Sequence, residues 1–140
     1  MTAGTLLLRQ IHPSFLQEGR VTSQAFRPPP KDQGQLSVDN ADRIAASLTW
    51  QRFTRDARNS SDGVMAILSE ECDMQQVPVV EHGTPYLEHC YLDFSAFKKK
   101  EIERKAKRLS SLATARGGYF RQAATRNLTG RPSSGFTAVC

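Results

Sequence analysis

The sequence predicts an α+β fold: a small mixed or antiparallel sheet of about five short strands with two helices on one face. Three observations lead there. Short apolar runs, several with a period of two, recur between residues 5 and 12, 35 and 39, 63 and 69, 77 and 83, and 86 and 95. Two longer stretches, 41–58 and 96–116, space their apolar residues as a helix does. The segments between them are rich in Pro, Gly, Asn and Asp, the residues that interrupt regular structure.

The elements follow in order. TLLLRQIH (5–12) puts Leu6, Leu8 and Gln10 on one face and Leu7, Arg9 and Ile11 on the other. Pro13 ends this strand because proline has no N–H for a ladder. PSFLQEG is then a turn, and RVTSQAFRP (20–28) is β-prone by composition. PPPKDQG is a stiff loop, and QLSVD (35–39) is a short strand. Asp39, Asn40 and Asp42 offer N-caps for the helix over 41–58, which NSSDG stops. GVMAILS (63–69) has the length and composition of a buried strand. SEECDMQQ is a short helix or turn with Ser69 as cap and acids near its start. VPVVEHG (77–83) is another strand, and YLEHCYLDFS (86–95) alternates His89, Tyr91 and Asp93 against the more apolar Cys90, Leu92 and Phe94. In the last helix, Ile102, Ala106, Leu109 and Ala113 form an apolar stripe, and Gly117 and Gly118 end it. One domain over 1–118 and a basic, flexible arm over 119–140 are expected.

At 140 residues the chain is long enough for one real core. It has no apolar run of membrane-spanning length and no basic leader before Leu6–Leu8, so neither a membrane partner nor secretion is expected. Three cysteines, Cys72, Cys90 and Cys140, fit reduced thiols in a cytoplasmic protein. The net charge of +5 is unevenly spread. Residues 1–97 hold eight Lys/Arg against twelve Asp/Glu, whereas 98–140 hold eleven against two. A mildly acidic body with a basic end suggests an anionic partner.

Lys98, Lys99 and Lys100 are the sharpest feature. With Ser95 as N-cap they sit in the first turn of the last helix, where the helix dipole favours acids. An anion docking at that helix start would account for them. Lys105, Arg108, Arg116 and Arg121 extend the basic surface, with Tyr119 and Phe120 as possible stacking groups. Nucleic acid is the first partner expected, and an acidic protein surface the second.

An enzymatic alternative rests on Arg9, His12 and Glu88 near one cleft, acting on a nucleotide or NAD-like substrate. An arginine on a first strand, a later serine (Ser23 or Ser37) and a later glutamate (Glu81 or Glu88) resemble the loose pattern of ADP-ribosyltransferase-like folds. A nuclease-like activity or a protein–protein adaptor or inhibitor are further alternatives. No metal is expected, because C-x9-H-x6-H-C over Cys72, His82, His89 and Cys90 is not a zinc spacing. No cofactor is expected either, since no P-loop, dinucleotide fingerprint or G-x-S-x-G occurs.

Overall fold

A computed structural model describes residues 1–117 and 120–121. The chain runs β1 (Leu6–Gln10), β2 (Leu16–Gln17), β3 (Arg20–Val21), β4 (Gln35–Asn40), α1 (Ala46–Arg55), β5 (Gly63–Leu68), α2 (Ser69–Met74), β6 (Val79–Glu81), β7 (His89–Asp93), α3 (Lys99–Arg116) and β8 (Phe120–Arg121). Short 3-10 turns at Pro13–Phe15, Ser23–Phe26 and Pro30–Asp32 shape the early loops. The main sheet has the order β6-β7-β4-β1-β5-β8, and β2 and β3 form a separate hairpin. Every pairing in the main sheet is antiparallel. The α+β class is therefore as expected, with the antiparallel form of sheet.

Side-chain alternation along β1 divides the core in two. Leu7 and Ile11 join Leu36, Val38, Met65, Ile67, Cys90 and Leu92 on one face, covered by Phe26 and by Ala106, Leu109 and Ala113 of α3. Leu8 joins Val64 and Ala66 on the other, covered by Ala46 of α1, by Phe120 and by the flanking Trp50. The two long helices thus lie on opposite faces, which corrects the expectation of both on one face. The reason is that β5 is buried on both sides, from Gly63 through Ile67. Helices on one face alone would leave half of that strand in water.

Three local expectations are also corrected. Residues 20–28 do not form one strand: β3 stops at Val21 and a 3-10 turn follows at Ser23–Phe26. Thr22 N–H and Oγ1 still donate to the Phe15 carbonyl, but beyond it the chain turns on itself: Ala25 N–H donates to the Thr22 carbonyl and Arg27 N–H to the Gln24 carbonyl, so these groups are not offered to a ladder. The last helix starts at Lys99 with Lys98 as N-cap, not at Ser95. Ser95 N–H donates to Asp93 Oδ1 in the turn before it. At the far end the fold passes residue 118, because Phe120 and Arg121 pair with β5. Tyr119 and residues 122–140, the greater part of the expected arm, lie outside the described residues.

One glycine has a specific task. Gly34 has φ +84°, and a Cβ there would meet the Ser95 backbone at 2.9 Å. That contact lets Phe94 N–H donate to the Gly34 carbonyl and seats the end of β7 against β4.

Glu71 and Arg116 tie the second half of the chain together. Glu71 Oε1 accepts from Leu68 N–H at 2.8 Å, capping α2. Its Oε2 accepts from Arg116 Nη2 at 2.6 Å, and Arg116 Nη1 donates to the Ala66 carbonyl of β5. Removing one partner of a buried ion pair costs several kcal/mol, reduced where solvent reaches it, and the Arg116 side chain is 25% exposed. Arg116→Ala is therefore expected to lower stability by about 2–3 kcal/mol in urea unfolding. A loss below about 0.5 kcal/mol, the level of an ordinary surface change, would contradict this role.

Candidate functional site

The apolar stripe of α3 fixes which of its charges face water. Ala106, Leu109, Ser110 and Ala113 are buried, so Lys100, Arg104, Lys107 and Arg108 stand on the opposite side and are exposed. Lys98 and Lys99 are exposed at its start. Among the described residues none of these six side chains forms an ion pair. The acid expected near the helix start is present after all. Glu101 sits at N3, and its Oε1 accepts from Lys98 N–H at 2.9 Å. The Lys98 N–H is therefore already taken by Glu101, and the lysines fan out around it.

Two of the expected phosphate contacts point inward instead. Lys105 is 6% exposed. Its Nζ donates to the Gln75 carbonyl at the end of α2 and lies 4.5 Å from the centre of the Phe97 ring. Arg116 is held by Glu71 and Ala66, as described above. Lys98, Lys105 and Arg116 line up on the helix in sequence, but the two inner members face α2 rather than a ligand. Arg108 keeps the exposure a ligand needs, and Arg121 is placed only by its backbone in β8.

Arg9, His12 and Glu88 are not gathered in a cleft. The half-buried Arg9 fills the place where β1 and β4 diverge beyond their two paired positions. Its Nε donates to the Ala25 carbonyl and its Nη1 to the Ser37 carbonyl. Burial lowers its pKa to about 10, with Asp32 opposing, so it stays charged at neutral pH. His12 is exposed and caps the 3-10 turn that follows, its Nδ1 accepting from Ser14 N–H. Glu88 is buried and pairs with Arg52 of α1. Of the ADP-ribosyltransferase-like pattern, Arg9 meets Ser37 through the Ser37 carbonyl, while Glu88 is engaged by Arg52 and Glu81 lies on β6.

A different polar cluster lies on the α1 side of the sheet, over β4 and β7, where α1 reaches across with Thr49 and Arg52. Strand register sets Asp39 opposite His89 and Ser37 opposite Tyr91. His89 Nε2 lies 3.3 Å from Ser37 Oγ, and His89 Nδ1 lies 3.2 Å from His82 Nδ1. The His82 ring meets Tyr91 edge-on at 5.7 Å. Thr49 Oγ1 donates to Asp39 Oδ2, and Arg52 lies between Asp39 and Glu88. The Arg52 guanidinium also stacks 3.5 Å from the centre of the Tyr86 ring. Burial raises the Asp39 pKa, while Thr49, Arg52 and His89 pull it back. Burial also lowers the His89 pKa, against the pull of Asp39, so its imidazole is neutral at neutral pH.

Cys72 and Cys90 take no part. Burial pushes the Cys72 thiol up to about 12 and the Cys90 thiol up to about 11, so neither is a thiolate at neutral pH. No group of three or more metal-ligating side chains occurs among the described residues. A cavity of about 400 Å³ opens beside β2 and β3, lined largely by apolar groups such as Ile11, Leu16, Val21, Met65 and Phe120. No helix among the described residues is long and apolar enough to cross a membrane. No protein-family model, curated protein or solved structure matches the chain.

Arg52 carries the charge balance of the polar cluster. Arg52→Ala leaves Glu88 and Asp39 without their cation, and a loss of about 2–3 kcal/mol at pH 7 is expected. Burial raises the Asp39 carboxyl and Arg52 opposes that rise, so without Arg52 the penalty on charged Asp39 shrinks as it takes up its proton between pH 7 and pH 4.5. Urea unfolding of wild type and variant at the two pH values checks this. An equal loss at both would remove the charge explanation.

Proposed function

We propose that the chain is a small binding module that docks an anionic polymer, nucleic acid first, on the outer face of α3. The observation that carries this reading is the set of six exposed cations on one helix with no ion pair among the described residues. Arg20, Arg27, Lys31, Arg43 and Arg55 are also exposed without an ion pair among the described residues, but they are scattered over separate segments, so the concentration of cations on α3 supports the reading. Lys100, Arg104 and Arg108 recur every fourth residue and span about 12 Å of helix axis. That length matches three to four nucleotide steps of ~3.4 Å along one strand. Cations of this kind hold phosphates and set position without reading bases. The exposed face lacks aromatic side chains, so backbone charge rather than base stacking is the expected source of affinity. An acidic protein surface could use the same cations and is the competing partner.

Binding of the full chain to generic single- and double-stranded oligonucleotides, titrated with salt, tests the reading. Three to four phosphate contacts give a slope of log K against log salt of about −2.7 to −3.6 on a duplex and about −2.1 to −2.8 on a single strand. A Lys100/Arg104/Lys107/Arg108→Ala variant should bind at least about tenfold more weakly at 50 mM salt and show a flatter slope. Absence of binding at low salt, or binding indifferent to salt, would overturn the nucleic-acid reading and leave the acidic protein partner.

A further inference from the structure

The polar cluster on the other face contains a more specific arrangement than a solvated sheet surface requires. Ser37 is exposed on β4, and its Oγ lies 3.3 Å from His89 Nε2. The second nitrogen of the same ring, Nδ1, lies 3.2 Å from His82 Nδ1. His82 is braced in turn by Tyr91, ring edge to ring, and by Thr84, whose Oγ1 is 3.4 Å from its Nε2. A hydroxyl, an imidazole and a second imidazole behind it thus form a continuous chain drawn from three separate segments. When His89 Nδ1–H donates to His82, the lone pair of His89 Nε2 is left facing the Ser37 hydroxyl. That is the geometry of an activated nucleophile: hydroxyl, base, and a group that orients the base.

We infer that Ser37 is a nucleophile with His89 as its general base and His82 as the residue that positions His89, acting on small esters. In the first step Ser37 Oγ attacks the ester carbonyl carbon and its proton passes to His89 Nε2. His89 then hands that proton to the departing alcohol, leaving an acyl group on Ser37. Water repeats the sequence and releases the carboxylic acid. His89 is suited to the task because burial keeps it neutral at physiological pH. The surrounding charge selects the substrate class. Asp39 and Glu88 outnumber Arg52, whose guanidinium they already engage, so no cation is left for a phosphate. Tyr86 and Tyr91 border the cluster, so an uncharged ester with a short or aromatic acyl group fits better. The site is independent of the cationic face of α3, which lies across the sheet.

A serine-directed fluorophosphonate probe on the full chain tests the inference. Attack forms an Oγ–P bond at Ser37, fluoride departs, and His89 takes the hydroxyl proton. One adduct is expected by intact mass, mapping to Ser37 and absent from Ser37→Ala. His89→Ala should label at least about 100-fold more slowly, with circular dichroism showing that it remains folded. His82→Ala, which removes the acceptor of His89 Nδ1–H, should label more slowly, and His82→Gln, whose Oε1 can accept in its place, should restore the rate. No adduct on wild-type Ser37, or equal labelling of the folded His89→Ala variant, would overturn the nucleophile. Equal labelling rates for His82→Ala and wild type would overturn the positioning role.

Discussion

Burial of β1 and β5 on both faces is the constraint from which the rest of the structure follows. Leu7 and Ile67 face one side of the sheet, and Leu8 and Ala66 face the other. A sheet centre that is apolar on both sides must be covered on both sides. The chain meets this with α3 and the Ser23–Phe26 turn on one face and α1 on the other. α1 is short, with only ten residues; its apolar side covers β1 and β5, and Thr49 and Arg52 meet Asp39 of β4. Beyond those polar contacts Ser37, His89 and Tyr91 stay polar at the rim of α1. Core geometry therefore separates two surfaces of different chemistry, a cationic helix and a nearly charge-balanced cluster of hydroxyl, imidazole and carboxylate.

The charges of α3 are sorted by the same packing. Lys105 is turned inward to close the end of α2, and Arg116 is turned inward to meet Glu71. Each is stabilised by a defined acceptor rather than by water. Lys100, Arg104, Lys107 and Arg108 have no such acceptor among the described residues and remain on the surface. The three lysines at the helix start lose their strangeness once Lys98 is the N-cap. Glu101 then stands at the position a helix dipole favours for an acid.

Much of this architecture is legible in the sequence, and the failures have physical causes. The strands at β1, β5 and β7 and the body of α3 follow from apolar spacing alone, because long periodic runs survive tertiary context. The run GVMAIL also held the signal that helices must lie on both faces, since a strand covered on one side alternates and this one does not. Residues 20–28 misled because β-prone composition does not show that Ala25 and Arg27 donate their N–H groups to carbonyls within the turn. Outward charges on α3 were recoverable from the apolar stripe, but the inward turn of Lys105 and Arg116 depends on where α2 lies. The cluster at His89 was the least legible. Ser37 and His89 are 52 residues apart and meet through the β4–β7 register, which no local pattern specifies.

The central claim is that ligand contact with an anionic polymer is confined to the α3 side of the sheet. Amide chemical shifts of the labelled chain, followed as a short single-stranded oligonucleotide is added at low salt, test it most directly. The account predicts shifts concentrated in residues 98–111, with the amides of Ser37, His82 and His89 unmoved. Shifts centred on β4 and β7, with α3 silent, would contradict it and place the anionic ligand on the opposite face.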